Sequence, residues 1–306
     1  MTLNSWRGLL SKRNGDHAMN PHLDNPSTSY SASAGASLGE AACYVLAATA
    51  LSTLISAPLL LGIVPEATTG IIVPLAQLTP LIVALIFFVV LRQRPQRRIG
   101  RLRDELALRW GGSSKAIFVG LGFLLAISAI QVLLALATGS TFAANDDIAL
   151  AAIAVIPVLL MQCVFALGEE LGWRGWLASR TAGWSFTKAA AAQSLAWTAW
   201  HLPVIPLILS TATSEFALAY LLSIASWAPF FLALRLRAGS VWPAVVLHGG
   251  INSIRVFILQ SLLDSGGGIN WWVEATGVVL WLAAASWVMN KYFTWIPCVS
   301  SRFNKE

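Results

Sequence analysis

The sequence predicts an all-α, polytopic transmembrane helix bundle of about eight spans with both termini cytoplasmic. Three observations predict it. Of the 306 residues, 57% are apolar and only 11% are charged, whereas a soluble domain carries about a quarter charged residues. The apolar residues gather into runs close to the ~20 residues that a bilayer-spanning helix needs. The basic residues concentrate in alternate connections between those runs, as membrane orientation requires.

The runs fall at about 41–64, 71–91, 116–138, 148–170, 187–209, 216–236, 241–263 and 271–291, with ends good to ~4 residues. Residues 1–40 are rich in Ser, Asn and Pro and contain no uninterrupted apolar stretch. They are expected to form a disordered polar tail, not a signal peptide. A transmembrane domain then occupies 41–295 and a short tail 296–306. Nothing between the runs is long enough to fold as a second domain.

Charge sets the orientation. The connection 92–115 carries Arg92, Arg94, Arg97, Arg98, Arg101, Arg103, Arg109 and Lys115, a cytoplasmic marker. Placing it inside brings Arg174, Arg180 and Lys188, then Arg235 and Arg237, and both tails to the same side. The opposite connections carry Glu66, Asp146, Asp147, Glu215 and Asp264, without a Lys or Arg. The net charge of +6 is thereby explained by orientation, and no nucleic-acid partner is expected. Trp110, Trp173, Trp176, Trp184, Trp242 and Trp295 cluster near the basic ends, where indole rings prefer the headgroup layer. Cys43, Cys163 and Cys298 are scattered without metal or disulfide spacing.

Against this apolar background three polar motifs stand out, because ionisable groups at membrane depth are costly and mark functional sites. The fourth run ends in Glu169-Glu170-Leu-Gly-Trp-Arg174. Glu170 and Arg174 are four apart and share a helix face, which suits an ion pair. Glu169 points about 100° away, leaving one carboxylate free to take a proton from water. The fifth run holds Trp197-Thr-Ala-Trp200-His201-Leu-Pro203. Pro203 and Pro206 are expected to kink this helix and free carbonyls into an interior space. The seventh run holds His248-Gly-Gly-Ile-Asn252, with Arg255 seven residues beyond His248 on the same stripe. Gly249 and Gly250 allow a backbone or a substrate to come close.

Each motif has a plainer reading: solvated interfacial carboxylates, a core histidine bonded to a carbonyl, and a helix-packing seam. Together they supply a Glu–His pair able to activate water and a His–Asn pair able to donate to an oxyanion. An alternative is zinc held by Glu169, His201 and His248 with water in the fourth position. No other cofactor is expected.

EExxxR, an aromatic-xxx-His and HxxxN, in that order on separate runs, resemble the CPBP family. It comprises the type II CAAX prenyl endopeptidases and the bacteriocin-processing, Abi-type intramembrane proteases. The resemblance covers about residues 116–263, and Trp197 stands where the family usually has Phe. It implies that Glu169 is the general base and works with His201 on the attacking water. It implies that His248 and Asn252 stabilise the oxyanion, and that Glu170 and Arg174 support the site. Arg255 is not one of the family's motif residues; it is expected to pair with Glu170 or to receive a substrate carboxylate.

The expectation is therefore a hydrolase, an intramembrane endopeptidase open to the cytoplasmic side of a bacterial inner membrane. Its partners are the lipid bilayer and a membrane-associated peptide or protein substrate. Two rivals keep the same buried polar residues: a non-catalytic scaffold or immunity protein of the same fold, and a small-molecule transporter.

Overall fold

The computed structural model describes residues 37–93, 100–143, 147–264 and 268–291. The expected polar tail lies outside these residues apart from 37–40, as do the tail at 296–306, Arg94, Arg97, Arg98, Trp295 and Cys298. Helices dominate the described residues, whose strands are one two-residue antiparallel pair, β1 (Thr141–Phe142) with β2 (Leu263–Asp264).

α1 (Ser37–Leu60) forms the first span. The second run is two helices, α2 (Thr69–Gln77) and α3 (Thr79–Arg92), jointed at Leu78 where Pro80 opens α3. The basic connection contains the short α4 (Leu102–Glu105). α5 (Ser113–Ala137) follows, then α6 (Asp147–Glu170). α6 passes without a break through a π-helical stretch, Leu171–Leu177, into α7 (Ala178–Arg180). α10 (Ser214–Ala238) is the most buried span. α11 (Trp242–Gly250) also runs on as π-helix, Ile251–Arg255 and Phe257–Ser261, and α12 (Trp271–Lys291) closes the bundle. α10 packs on α12 and on α8 (Phe186–His201), and α11 on α5 and α6.

The expected fifth span is not one helix. α8 (Phe186–His201) stops at His201, the chain turns through a 3-10 segment (Leu202–Val204), and α9 (Ile205–Leu209) restarts it. Pro203 and Pro206 cannot donate to the helical ladder, which is why the break falls there. Seven helices among the described residues, not eight, are thus long and apolar enough to cross a membrane. The segment still joins the two ends of the bundle. Ala238 at the end of α10 accepts from Gly112 beside the basic connection, whereas Phe216 at its start shares a cavity wall with Ser140 and Asn270. Phe186–Leu209 connects one end to the other as a broken helix.

Burial overturns part of the tryptophan reading. Trp173 and Trp176 are fully buried, not in the headgroup layer, and form the core with Tyr44, Trp197, Phe230 and Phe231. Trp110 is exposed, and it lies near Trp242 at the basic end.

Candidate active site

Glu169 is positioned by a close approach of two backbones. A Cβ on Gly168 would stand 2.5 Å from the Gln77 carbonyl oxygen, at the α2–α3 joint. Four residues on, a Cβ on Gly172 would meet Pro80 at 2.4 Å. Glycine at both positions lets α6 and its π-helical continuation lie directly on the joint. Gln77 therefore reaches Glu169, its Nε2 donating to Oε1 at 3.0 Å. The other oxygen, Oε2, accepts from the Trp197 indole at 2.7 Å. Each oxygen thus accepts one hydrogen bond, and a carboxylate retains lone pairs for a water.

Trp197 also fixes His201. The His201 Nδ1 lies 2.7 Å from the Trp197 carbonyl oxygen. A carbonyl only accepts, so Nδ1 carries the proton and the neutral ring presents a lone pair at Nε2. His201 is enclosed by the rings of Trp197, Trp200 and Tyr220. The fourth span continues to Arg180, so Glu169 lies inward of its end.

Glu170 faces a different set. Its Oε1 accepts from Arg174 at 2.9 Å, the pair that the four-residue spacing suggests, and from His248 Nδ1 at 2.8 Å. Glu170 and Arg174 are completely buried. The Arg174 guanidinium lies against two neighbouring rings, 4.2 Å from the centre of Trp197 and 4.8 Å from that of Phe231, where ring faces attract a cation. Arg235 donates to the Arg174 carbonyl at 2.9 Å, holding one of the oxygens that the π-helical turns free. π-helical turns of this kind recur at functional sites, and here one begins within each of the motifs on α6 and α11, so that Arg174 and Asn252 both lie on π-helix.

His248 lies edge-on to Trp197, their ring centres 5.3 Å apart. Its α11 backbone can approach α6 because Gly249 meets Cys163, whose Sγ lies 2.5 Å from where a Cβ would be. Asn252 donates one amide hydrogen to Gln162 at 3.2 Å, leaving the other N–H and its carbonyl oxygen. Glu169, Glu170, Arg174, His201 and His248 therefore surround one indole, that of Trp197, with Asn252 a turn beyond His248.

Arg255 does not pair with Glu170, whose Oε1 is already held by Arg174 and His248. Its nearest carboxylate is Glu274 on α12, at 3.7 Å. Gln77, Gln162 and Glu274 are partners that the motif analysis did not single out. Each is an isolated polar residue in or beside an apolar run, and that isolation was the available signal.

Asn252 and Tyr220 line a cavity of about 120 Å3, together with Trp227, Arg255 and Glu274. A wider cavity of about 350 Å3 shares Arg255 and Glu274 and extends to Ser140, Gly268 and Asn270. These cavities run toward the β1–β2 end and away from the basic connection, opposite to the opening expected from the sequence.

The zinc alternative fits poorly. Among the described residues no three His, Cys, Asp or Glu side chains are grouped to hold a metal ion. Glu169 is turned onto Gln77 and Trp197, while His248 is turned onto Glu170.

Fold and site together define a multi-pass α-helical membrane protein with a buried centre of two carboxylates, two imidazoles and a guanidinium. Residues 150–254 give a match to the family model described as type II CAAX prenyl endopeptidase Rce1-like. It spans all three motifs and ends one residue before Arg255. No curated protein matches the sequence.

Proposed function

We propose that this chain is an intramembrane endopeptidase that hydrolyses peptide bonds of a membrane-associated protein or peptide by an activated water. The observation that carries the reading is the double use of Trp197. Its indole N–H orients Glu169 and its carbonyl fixes the proton of His201 on Nδ1. One residue thereby orients both the carboxylate and the imidazole, and both are buried.

A water held between Glu169 and His201 gives up a proton as its oxygen bonds to the substrate carbonyl carbon. Charge then develops on the carbonyl oxygen. The remaining Asn252 N–H donates to it, as does Nε2 of His248 in its imidazolium form, with Glu170 as counter-ion. The carbon–nitrogen bond breaks as the proton taken from water passes to the leaving amine. The products are one free carboxyl and one free amino terminus.

The test is cleavage of a quenched peptide library by detergent-purified protein, wild type beside Glu169→Ala, each with and without a chelator. Loss of cleavage by at least about 100-fold in the variant is expected for removal of a general base, with cleavage by wild type persisting in chelator. Zinc-restorable loss in chelator would give Glu169 and both histidines a metal role instead. A biological effect that survives Glu169→Ala would mark a scaffold.

A further inference from the structure

Arg255 is a buried cation that the reaction above does not use. It lies on the π-helical continuation of α11, three residues beyond Asn252, and only 7% of it is exposed. Its hydrogen bonding is incomplete. Nε has no partner among the described residues. Nη2 stands 3.7 Å from Glu274 Oε2, longer than a hydrogen bond. The face of the guanidinium is turned toward Trp227, 5.3 Å from the ring centre. Arg174, by contrast, meets its carboxylate at 2.9 Å. A buried guanidinium is costly unless a carboxylate meets it with parallel hydrogen bonds, and at Arg255 that position is incompletely filled.

Its location says what fills it. Arg255 and Glu274 line both cavities, together with Phe216, Gln260 and Ile269: the inner cavity touches Asn252, and the outer one leads to the β1–β2 end. A chain reaching Asn252 from that end passes the guanidinium. Arg255 lies in the same five-residue π-helical stretch as Asn252 and lines the inner cavity with it, and an extended peptide covers at most ~3.6 Å per residue. A group held at Arg255 is therefore within a few residues of a bond under attack at Asn252. Of the ion pair, Glu274 is the more exposed member, 24% against 9% for the arginine side chain, and is the one able to swing into the outer cavity.

We propose that Arg255 anchors the substrate by receiving a carboxylate of the peptide, and that Glu274 holds the place of that carboxylate until substrate arrives. The proposal rests on the peptidase reading for its consequence in cleavage, but the anchor is measurable by binding alone. The carboxylate is supplied by the peptide's own C-terminus or by an acidic side chain near the bond.

The probes are three fluorescein-labelled peptides with one apolar sequence: a free C-terminal acid, a C-terminal amide, and an amide with Asp near its end. Their binding to detergent-purified protein is read by fluorescence anisotropy. Wild type is expected to bind at least one carboxylate form about tenfold tighter than the neutral amide, the scale of one charge-assisted hydrogen bond. Which form it prefers identifies the source of the carboxylate. Arg255→Gln is expected to erase the preference, Arg255→Lys to keep part of it, and Glu274→Gln to enlarge it by removing the competing carboxylate. If Arg255→Gln fails to fold, the lysine variant and the opposite sign at Glu274 carry the test.

A preference retained in folded Arg255→Gln overturns the anchor, as does its absence in wild type or no binding of any peptide. An Arg255-dependent preference without cleavage of any library peptide leaves the anchor standing and removes the peptidase reading.

Discussion

At the residue scale, Trp197 joins the carboxylate and the imidazole that the proposed reaction needs. Its ring donates to Glu169, packs against His201 and His248, and lies against the Arg174 guanidinium. Trp197→Phe keeps an aromatic ring but loses the N–H and part of the buried indole volume. Hydrogen bonds to charged groups contribute about 1.5–3 kcal/mol, so kcat is expected to fall at least about tenfold, and the buried volume removed is expected to lower the unfolding temperature as well. Steady-state kinetics and thermal unfolding of the same preparation check it; unchanged kcat would remove Trp197 from the alignment of Glu169. The Glu170–Arg174 pair was legible in the sequence because a spacing of four is a statement about one helix. Gln77, Gln162 and Glu274 were not, because their partners lie on other helices and no spacing links them. The stripe from His248 to Arg255 misled for a different reason. It assumes α-helical turns, whereas Ile251–Arg255 forms π-helix, whose i→i+5 turns shift later residues in phase.

At the element scale, glycines set how closely helices can approach. A Cβ at Gly172 would lie 2.4 Å from Pro80 Cβ and 2.5 Å from the Tyr44 hydroxyl. That hydroxyl is already committed to the Pro80 carbonyl at 2.9 Å. Gly172→Ala is expected to destabilise the protein by about 1–3 kcal/mol through overpacking. Gly122→Ala, with nothing within 4 Å, is expected not to destabilise it. Detergent unfolding curves of the two variants compare them, and equal midpoints would contradict the close contact. Most spans could be read directly from run length, and the break at Pro203 and Pro206 was expected as a kink. The joint at Leu78 was not expected: Pro74 and Pro80 lie in an apolar run that hydropathy alone reads as continuous. Nor does hydropathy distinguish a tryptophan facing lipid headgroups from one in the core, so Trp173 and Trp176 were misplaced.

At the scale of the whole molecule, charge and cavity point to opposite ends. The basic connection and Arg180 mark one end, while the open volume beside Asn252 leads to the other. If the basic end is cytoplasmic, substrate reaches the site from the outer face or from within the bilayer. Single cysteines placed at Thr141 and Arg103, with Cys43, Cys163 and Cys298 replaced, test this in intact bacterial cells expressing the chain. An impermeant maleimide is expected to label Thr141→Cys directly and Arg103→Cys only after permeabilisation; the reverse pattern would place the cavity mouth inside.

The fourth span is unusually long: 33 residues, from Ile148 to Arg180, without a break. At about 1.5 Å per residue this is roughly 50 Å of rod, set in a hydrocarbon layer of about 30 Å. Such a rod leans, emerges into the headgroups, or deforms the lipid around it. Glu169 and Glu170 sit about two-thirds of the way along. Their distance from the nearest water is therefore a property of the surrounding membrane as much as of the protein. The site has no fixed depth of its own, and lipid thickness becomes one of the variables that govern which bonds come within its reach.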